Sequence, residues 1–170
     1  MKELEVKIKL NGGIMPVKAT NGAAAFDLCV PCDTKIKRGR NLVDLRFSLE
    51  LPHGYAATIQ PRSGFSAKGF EVEVLYVCCG ICLKKKKDVR INADVKRGLI
   101  DSDYRGPVRV IVYVRAKSSA FKRFLIKKGT RIAQMQIVEV PNVALIEVDK
   151  LSETERGEGG IGSTGTKSNE

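Results

Sequence analysis

From Gly98 to Gly106 the chain reads Gly-Leu-Ile-Asp-Ser-Asp-Tyr-Arg-Gly, which sets two carboxylates, an aromatic ring and a guanidinium between glycines. A carboxylate held on a short, firm loop is suited to act as a catalytic base. Asp101 is the candidate. Directly after this run, Val108-Arg109-Val110-Ile111-Val112-Tyr113-Val114 is β-branched and apolar, the pattern of a buried strand. Asp101 is therefore expected at the tip of a hairpin, positioned by a sheet. The same residues also suit an ordinary polar β-turn, because Asp, Ser and Gly are common there. The rest of the chain must separate the two readings.

The elements that would position such a site are short strands separated by turns. Leu4, Val6, Ile8 and Leu10 alternate with polar residues before Asn11-Gly12-Gly13. Val43, Leu45, Phe47, Leu49 and Leu51 alternate likewise, and Pro52-His53-Gly54 turns the chain. Tyr55 to Gln60, Val108 to Val114, Phe124 to Ile126, Ile132 to Val140 and Val143 to Val148 complete the predicted strands. Strands at this spacing with glycine-rich turns predict an all-β barrel or sandwich. Helix is expected only at Arg62 to Lys68 and at Asp149 to Arg156.

With 170 residues the chain suits one domain with a substantial core. No apolar run approaches a membrane span, and Met-Lys-Glu-Leu-Glu-Val lacks the apolar heart of a signal peptide. An intracellular, cytoplasmic protein with no membrane partner is expected, nuclear if the source is eukaryotic. Five cysteines, an odd number without signs of secretion, predict reduced thiols. A net charge of +11 points to an anionic partner. Aromatics at 6% without Trp weaken a base-stacking binder of single strands. The excess charge clusters at Lys35, Lys37, Arg38 and Arg40, at Lys84 to Lys87, and at Lys122, Arg123, Lys127 and Lys128; such clusters usually form solvated faces.

The last segment changes character. From Arg156 to Thr166 it is half glycine, opens on an arginine and carries Ser163-Thr164. A mobile tail is one reading. Glycine N–H groups beside hydroxyls and a guanidinium are also what phosphate oxygens take as donors. The lysine and the strand-to-helix setting of a Walker loop are missing, which argues against a kinase-like site.

Five segments, in order, resemble the trimeric dUTP pyrophosphatase (dUTPase) family: Ala24-Ala25-Phe26-Asp27-Leu28, Pro61 to Lys68, Gly98 to Gly106, Gly129-Thr130-Arg131-Ile132-Ala133-Gln134-Met135, and Arg156 to Gly165. The resemblance implies a distorted jelly-roll, β-barrel-like subunit in a homotrimer. A single domain over 1–155 would carry the glycine-rich tail, 156–170, into a neighbour's active site. It implies hydrolysis of dUTP to dUMP and pyrophosphate with Mg²⁺ on the triphosphate, which limits uracil in DNA and supplies dUMP for dTMP synthesis. By the same resemblance Asp101 is the general base. Arg62, Ser63, Gly64, Gln134, Arg156, Ser163 and Thr164 match phosphate contacts. The backbone around Arg97, Gly98 and Ile100 faces the uracil edge, Tyr104 packs on deoxyribose, and Ile161 covers the base. Asp27 matches a carboxylate near the metal's water shell, and a structural role at a strand end suits it equally.

Three departures stand out. Ile161 replaces the aromatic usual in the family's tail, and Thr130 stands where an acidic residue is common. About twenty extra residues lie between Lys68 and Asp94. This insertion, about 71–93, predicts two hairpin strands at Glu71 to Val77 and Asp88 to Asn92, with Lys84 to Lys87 near its far side. A tolerated surface hairpin is the plainer expectation, and a contact with nucleic acid or protein the sharper one. Cys29-Val30-Pro31-Cys32 and Cys79-Gly80-Ile81-Cys82 have the spacing of a Cys₄ zinc site, although Pro31 and the distance in sequence argue against it. His53 has no partner in sequence, which disfavours Ser-His or Cys-His catalysis. Two alternatives remain: a related dCTP deaminase, and a non-catalytic regulatory trimer that binds through the basic insertion.

Overall fold

The computed structural model of the chain describes residues 3–78, 81–115 and 122–159, and for 77, 78, 81–88 and 122 the backbone only. The expected all-β class holds: the one helix among the described residues is α1 (Ser63–Lys68). Every strand pairing is antiparallel. β1 (Lys7–Leu10) pairs β5 (Phe47–Glu50). A four-stranded sheet runs β10 (Gly98–Ile100), β6 (Tyr55–Gln60), β13 (Arg131–Glu139), β2 (Phe26–Cys29). A three-stranded sheet orders β4 (Gly39–Asp44), β11 (Arg109–Val114), β9 (Ala93–Val95). The last orders β3 (Thr34–Ile36), β12 (Lys122–Ile126), β7 (Phe70–Cys78), β8 (Ile81–Ile91).

Alternation explains the core. Val43, Leu45, Phe47, Leu49 and Leu51 are buried, while Asp44, Arg46 and Glu50 face solvent. They do not form one strand, as the pattern predicted. Arg46 takes a left-handed φ of 55°, and its N–H donates to Asp44 Oδ1 at 2.7 Å. Such a side-chain turn diverts the backbone, so the run leaves β11 after Asp44 and joins β1 from Phe47. Phe47, Phe124, Leu28, Leu45, Ile126 and Ile132 are the largest fully buried side chains. Truncating Phe124 to Ala would cost about 3–5 kcal/mol.

The insertion is less peripheral than expected. Phe70, Val72 and Val74 of β7 are buried, and β7 pairs along β12. Its first strand therefore closes the core, because every second residue is apolar. Its second strand is longer than predicted, and Lys84 to Lys87 lie within β8. The charge clusters read as solvated faces do sit outside: Lys35, Lys37, Arg38, Arg40, Arg123, Lys127 and Lys128 are all exposed.

Beyond β13 two expectations fail. Val143 to Val148 forms no strand and Asp149 to Arg156 no helix. Leu145 and Ile146 are 96% and 81% exposed, with Val143, Val148 and Leu151 also outside. The apolar pattern is real, but one chain supplies no sheet edge or groove over it. Eight residues are too few to nucleate a helix without packing.

Candidate active site

Three of the predicted motifs meet at one end of the β10-β6-β13-β2 sheet. Register places Gln134 beside Asp27 on one flank and Gln60 on the other. After Gln60 the chain turns at Pro61, whose carbonyl accepts from Gln134 Nε2 at 3.1 Å. That turn delivers Arg62, and its Nε meets Asp27 Oδ1 at 2.7 Å. Arg131, at the start of β13, reaches Asp27 Oδ2 at 3.1 Å. The carboxylate is buried, so it fixes two guanidiniums at once. Phe65 anchors α1 behind them, its ring 4.7 Å from that of Phe70.

The cleft in front measures about 430 Å³ and is lined by Asp27, Gln60, Arg62, Ser63, Gly64 and Gln134, with Ala23 to Ala25 at one wall. It presents amide, hydroxyl and guanidinium groups, a set matched to phosphate oxygens. Ser63 and Gly64 are exposed to it. Both oxygens of Asp27 are engaged by arginines, as the structural reading expects. Among the described residues no three His, Cys, Asp or Glu side chains converge as metal ligands.

Asp101 is elsewhere. β9 and β11 form the base of the predicted hairpin, with Val95 opposite Val112. The arm then departs: β10 pairs β6 in the neighbouring sheet, Gly98 opposite Ile59 and Ile100 opposite Ala57. The tip therefore bridges two sheets, which the run of apolar residues could not reveal. Asp101 is exposed, its carbonyl accepting from the Tyr104 N–H at 3.2 Å. Arg105 Nη1 donates to the carbonyls of Ser102 at 2.6 Å and Tyr104 at 3.1 Å, which stiffens the turn. The Tyr104 hydroxyl donates to the Pro107 carbonyl at 3.2 Å. A β-carbon at Gly106 would stand 2.5 Å from Cζ of that ring, so the glycine is what admits it. Ile100 is buried, leaving only its backbone for a ligand, whereas Arg97 is exposed.

Asp101 follows the Ala57 end of β6 and Arg62 follows the Gln60 end. Three residue steps, about 10 Å, separate those levels, and beyond them the two segments run in opposite directions. One chain does not bring them together. Arg156 lies in an exposed turn where its Nε donates to the Gly159 carbonyl at 2.8 Å. Ile161, Ser163 and Thr164 lie outside the described residues.

Sequence reasoning gave no role to Arg131, Gln60 or Gln136. Gln60 Nε2 donates to Gln136 Oε1 at 2.9 Å and shapes the cleft floor. Alternation along β13 puts Gln134 and Gln136 on one face, a signal that was available. Thr130 closes the turn before β13 by donating to the Lys127 carbonyl at 2.6 Å, so Arg131 pairs with Asp27 without an acidic neighbour there. Cys29, next to this cluster, has its thiol pushed up, first by burial and then by Asp27, against Arg131 and Arg62. The register of β3, β12 and β7 sets Cys32 and the Cys82 backbone roughly 20 Å apart along the sheet. Cys79 lies outside the described residues.

Comparison with known proteins gives the family and the fold. The dUTPase family model matches residues 11–83 and 84–165. The chain is 39% identical over 169 residues to the deoxyuridine 5'-triphosphate nucleotidohydrolase of Hydrogenobaculum sp., covering 98% of this chain and 100% of that one. It is 35% identical over 162 residues to the Arabidopsis thaliana protein of the same name, covering 95% and 82%. Among solved structures it resembles a Staphylococcus bacteriophage 80alpha dUTPase with dUpNHpp, at TM-score 0.72 and 20% identity, covering 95% and 98%. It also resembles a dUTPase from phage phi11 of S. aureus described as coordinating a structural Mg(II) ion, at TM-score 0.66 and 16% identity, covering 86% and 97%.

Proposed function

The chain belongs to the dUTPase family, and from that premise we propose that it hydrolyses dUTP to dUMP and pyrophosphate. Asp101 accepts a proton from water as the water oxygen attacks the α-phosphorus. The bond from that phosphorus to the oxygen bridging to the β-phosphorus breaks, and pyrophosphate leaves. Arg62, Ser63, Gly64 and Gln134 hold the phosphate chain in the cleft, with Asp27 keeping Arg62 in place. Mg²⁺ carried on the phosphates supplies charge neutralisation and alignment. Arg97, Gly98 and Ile100 offer backbone groups to the uracil edge. Tyr104 presses on the deoxyribose and leaves no room for a 2′-hydroxyl. Arg156, Ser163 and Thr164 close over the terminal phosphate, and Ile161 covers the base by apolar contact. The product dUMP feeds thymidylate synthesis, and removal of dUTP keeps uracil out of DNA.

The observation that carries this reading is the separation of the two halves of the site. A phosphate cleft at one end of β6 and a carboxylate at the other become one centre only when different copies meet. We therefore read the protein as a homotrimer with sites shared between subunits. The exposed apolar arm from Val143 to Leu151 supports this, since its own chain leaves it uncovered and a neighbouring copy would bury it. A panel of dUTP, dCTP, UTP and dTTP, each with and without Mg²⁺, tests the proposal. Pyrophosphate should appear from dUTP alone and only with the cation. Ammonia released from dCTP would replace the reading with deamination.

A further inference from the structure

A second cationic pocket backs onto the phosphate cleft. It measures about 200 Å³ and is lined by Arg62, Lys68, Arg90, Thr130 and Arg131, with Phe65 and Phe70 at its floor and Glu71 at its rim. Arg62 and Gly64 line both spaces, so the two adjoin across one guanidinium. Four elements build it: the Pro61 turn, α1, the base of the β7-β8 insertion and the turn into β13. Its shape depends on Gly69, which takes φ 73° and would bring a β-carbon within 2.8 Å of the Ile91 carbonyl. Only glycine lets α1 end so close to the insertion, and that closeness brings Arg90 beside Lys68.

The charges do not cancel. Four cationic side chains stand against two carboxylates, Asp27 and Glu71. Asp27 alone serves both Arg62 and Arg131. Glu71 Oε1 pairs with Arg90 at 2.8 Å, which leaves Lys68 without a carboxylate among the described residues. Arg90 is also tied to the Lys68 carbonyl at 3.5 Å, so its fork is held in direction. Preset guanidiniums beside an ammonium select multivalent oxyanions through the donors that these ties leave over.

We propose that this pocket is a second polyphosphate site, which holds the departing pyrophosphate after it crosses Arg62 from the cleft. The inference rests on the dUTP-hydrolysing reading for its occupant, and it assigns the insertion a part near the reaction. Arg90 and Lys68 are its binding residues, and neither lies in the cleft that takes substrate.

Isothermal calorimetry tests it on the full chain saturated with dUpNHpp, which fills the cleft. Sodium pyrophosphate should still bind at about one per chain, and inorganic phosphate more weakly. The double substitution Lys68→Gln/Arg90→Gln should weaken that binding by about tenfold or more, while KM for dUTP moves by less than about twofold. Arg90→Lys alone, which keeps the charge, should retain most of it. Loss of all pyrophosphate binding in the analogue complex overturns the proposal, as does binding that the double variant leaves unchanged. Should the analogue fail to bind, the dUTP reading falls by itself. The pocket is then judged on the free protein, where the double variant must still weaken pyrophosphate binding.

Discussion

The phosphate cleft and the Asp101 turn are built on opposite plans. The cleft is interlocked: Asp27 on β2, Arg62 after β6 and Arg131 on β13 are each oriented by another strand's residue. The turn is self-contained: Arg105, Tyr104 and Gly106 satisfy one another within nine residues and leave Asp101 out in solvent. The first plan fixes two guanidiniums side by side against their mutual repulsion. The second sets one exposed carboxylate on a stiff mount of its own. Precision comes from cross-strand ties in one case and from local bonding in the other.

This contrast is broken most severely at the turn. Asp101→Asn should lower turnover by about 10³-fold or more with dUTP still bound, measured by pyrophosphate release and by calorimetry. Near-normal turnover would remove Asp101 as the base. Next comes Asp27→Ala, which leaves two guanidiniums facing each other. It should reduce kcat/KM by about 10²-fold and cost about 2–4 kcal/mol in urea unfolding, a range lowered for the partial exposure of both arginines. An unchanged unfolding midpoint would mean the cleft is not interlocked. Gly106→Ala should displace the Tyr104 ring and narrow the preference for dUTP over UTP by about tenfold, with little effect on stability. The smallest effect concerns Cys29. Its thiol stays protonated at neutral pH, so iodoacetamide should label it several-fold more slowly than a free cysteine. Removing Asp27 lowers that thiol's pKa and should speed the labelling, as mass spectrometry of the tryptic peptide would read.

Much of the cleft was legible because its residues sit in short contiguous motifs. Arg62, Ser63 and Gly64 adjoin in sequence, and Asp27 and Gln134 lie on strands with clear alternation. Alternation also located the core. It could not locate the break at Arg46, because buried positions keep their period of two on both sides of the kink. Nor could it assign β10 to β6, since pairing partners depend on register and not on a strand's own composition. The stretch from Val143 to Val148 failed for a different reason. Its pattern is that of a strand, but no strand among the described residues pairs with it. The insertion misled through its length, although the alternation through Val72 and Val74 was a signal that its first strand faces the core.

The strand register of β6 also has a genetic consequence. If the two ends of that strand serve different active sites, damage at one end spares the other. Chains carrying Asp101→Asn and chains carrying Arg62→Ala would each be inert. Refolded together, they would yield mixed assemblies in which some sites draw an intact carboxylate from one parent and an intact cleft from the other. Two silent alleles could then complement each other, a trait written into one short strand.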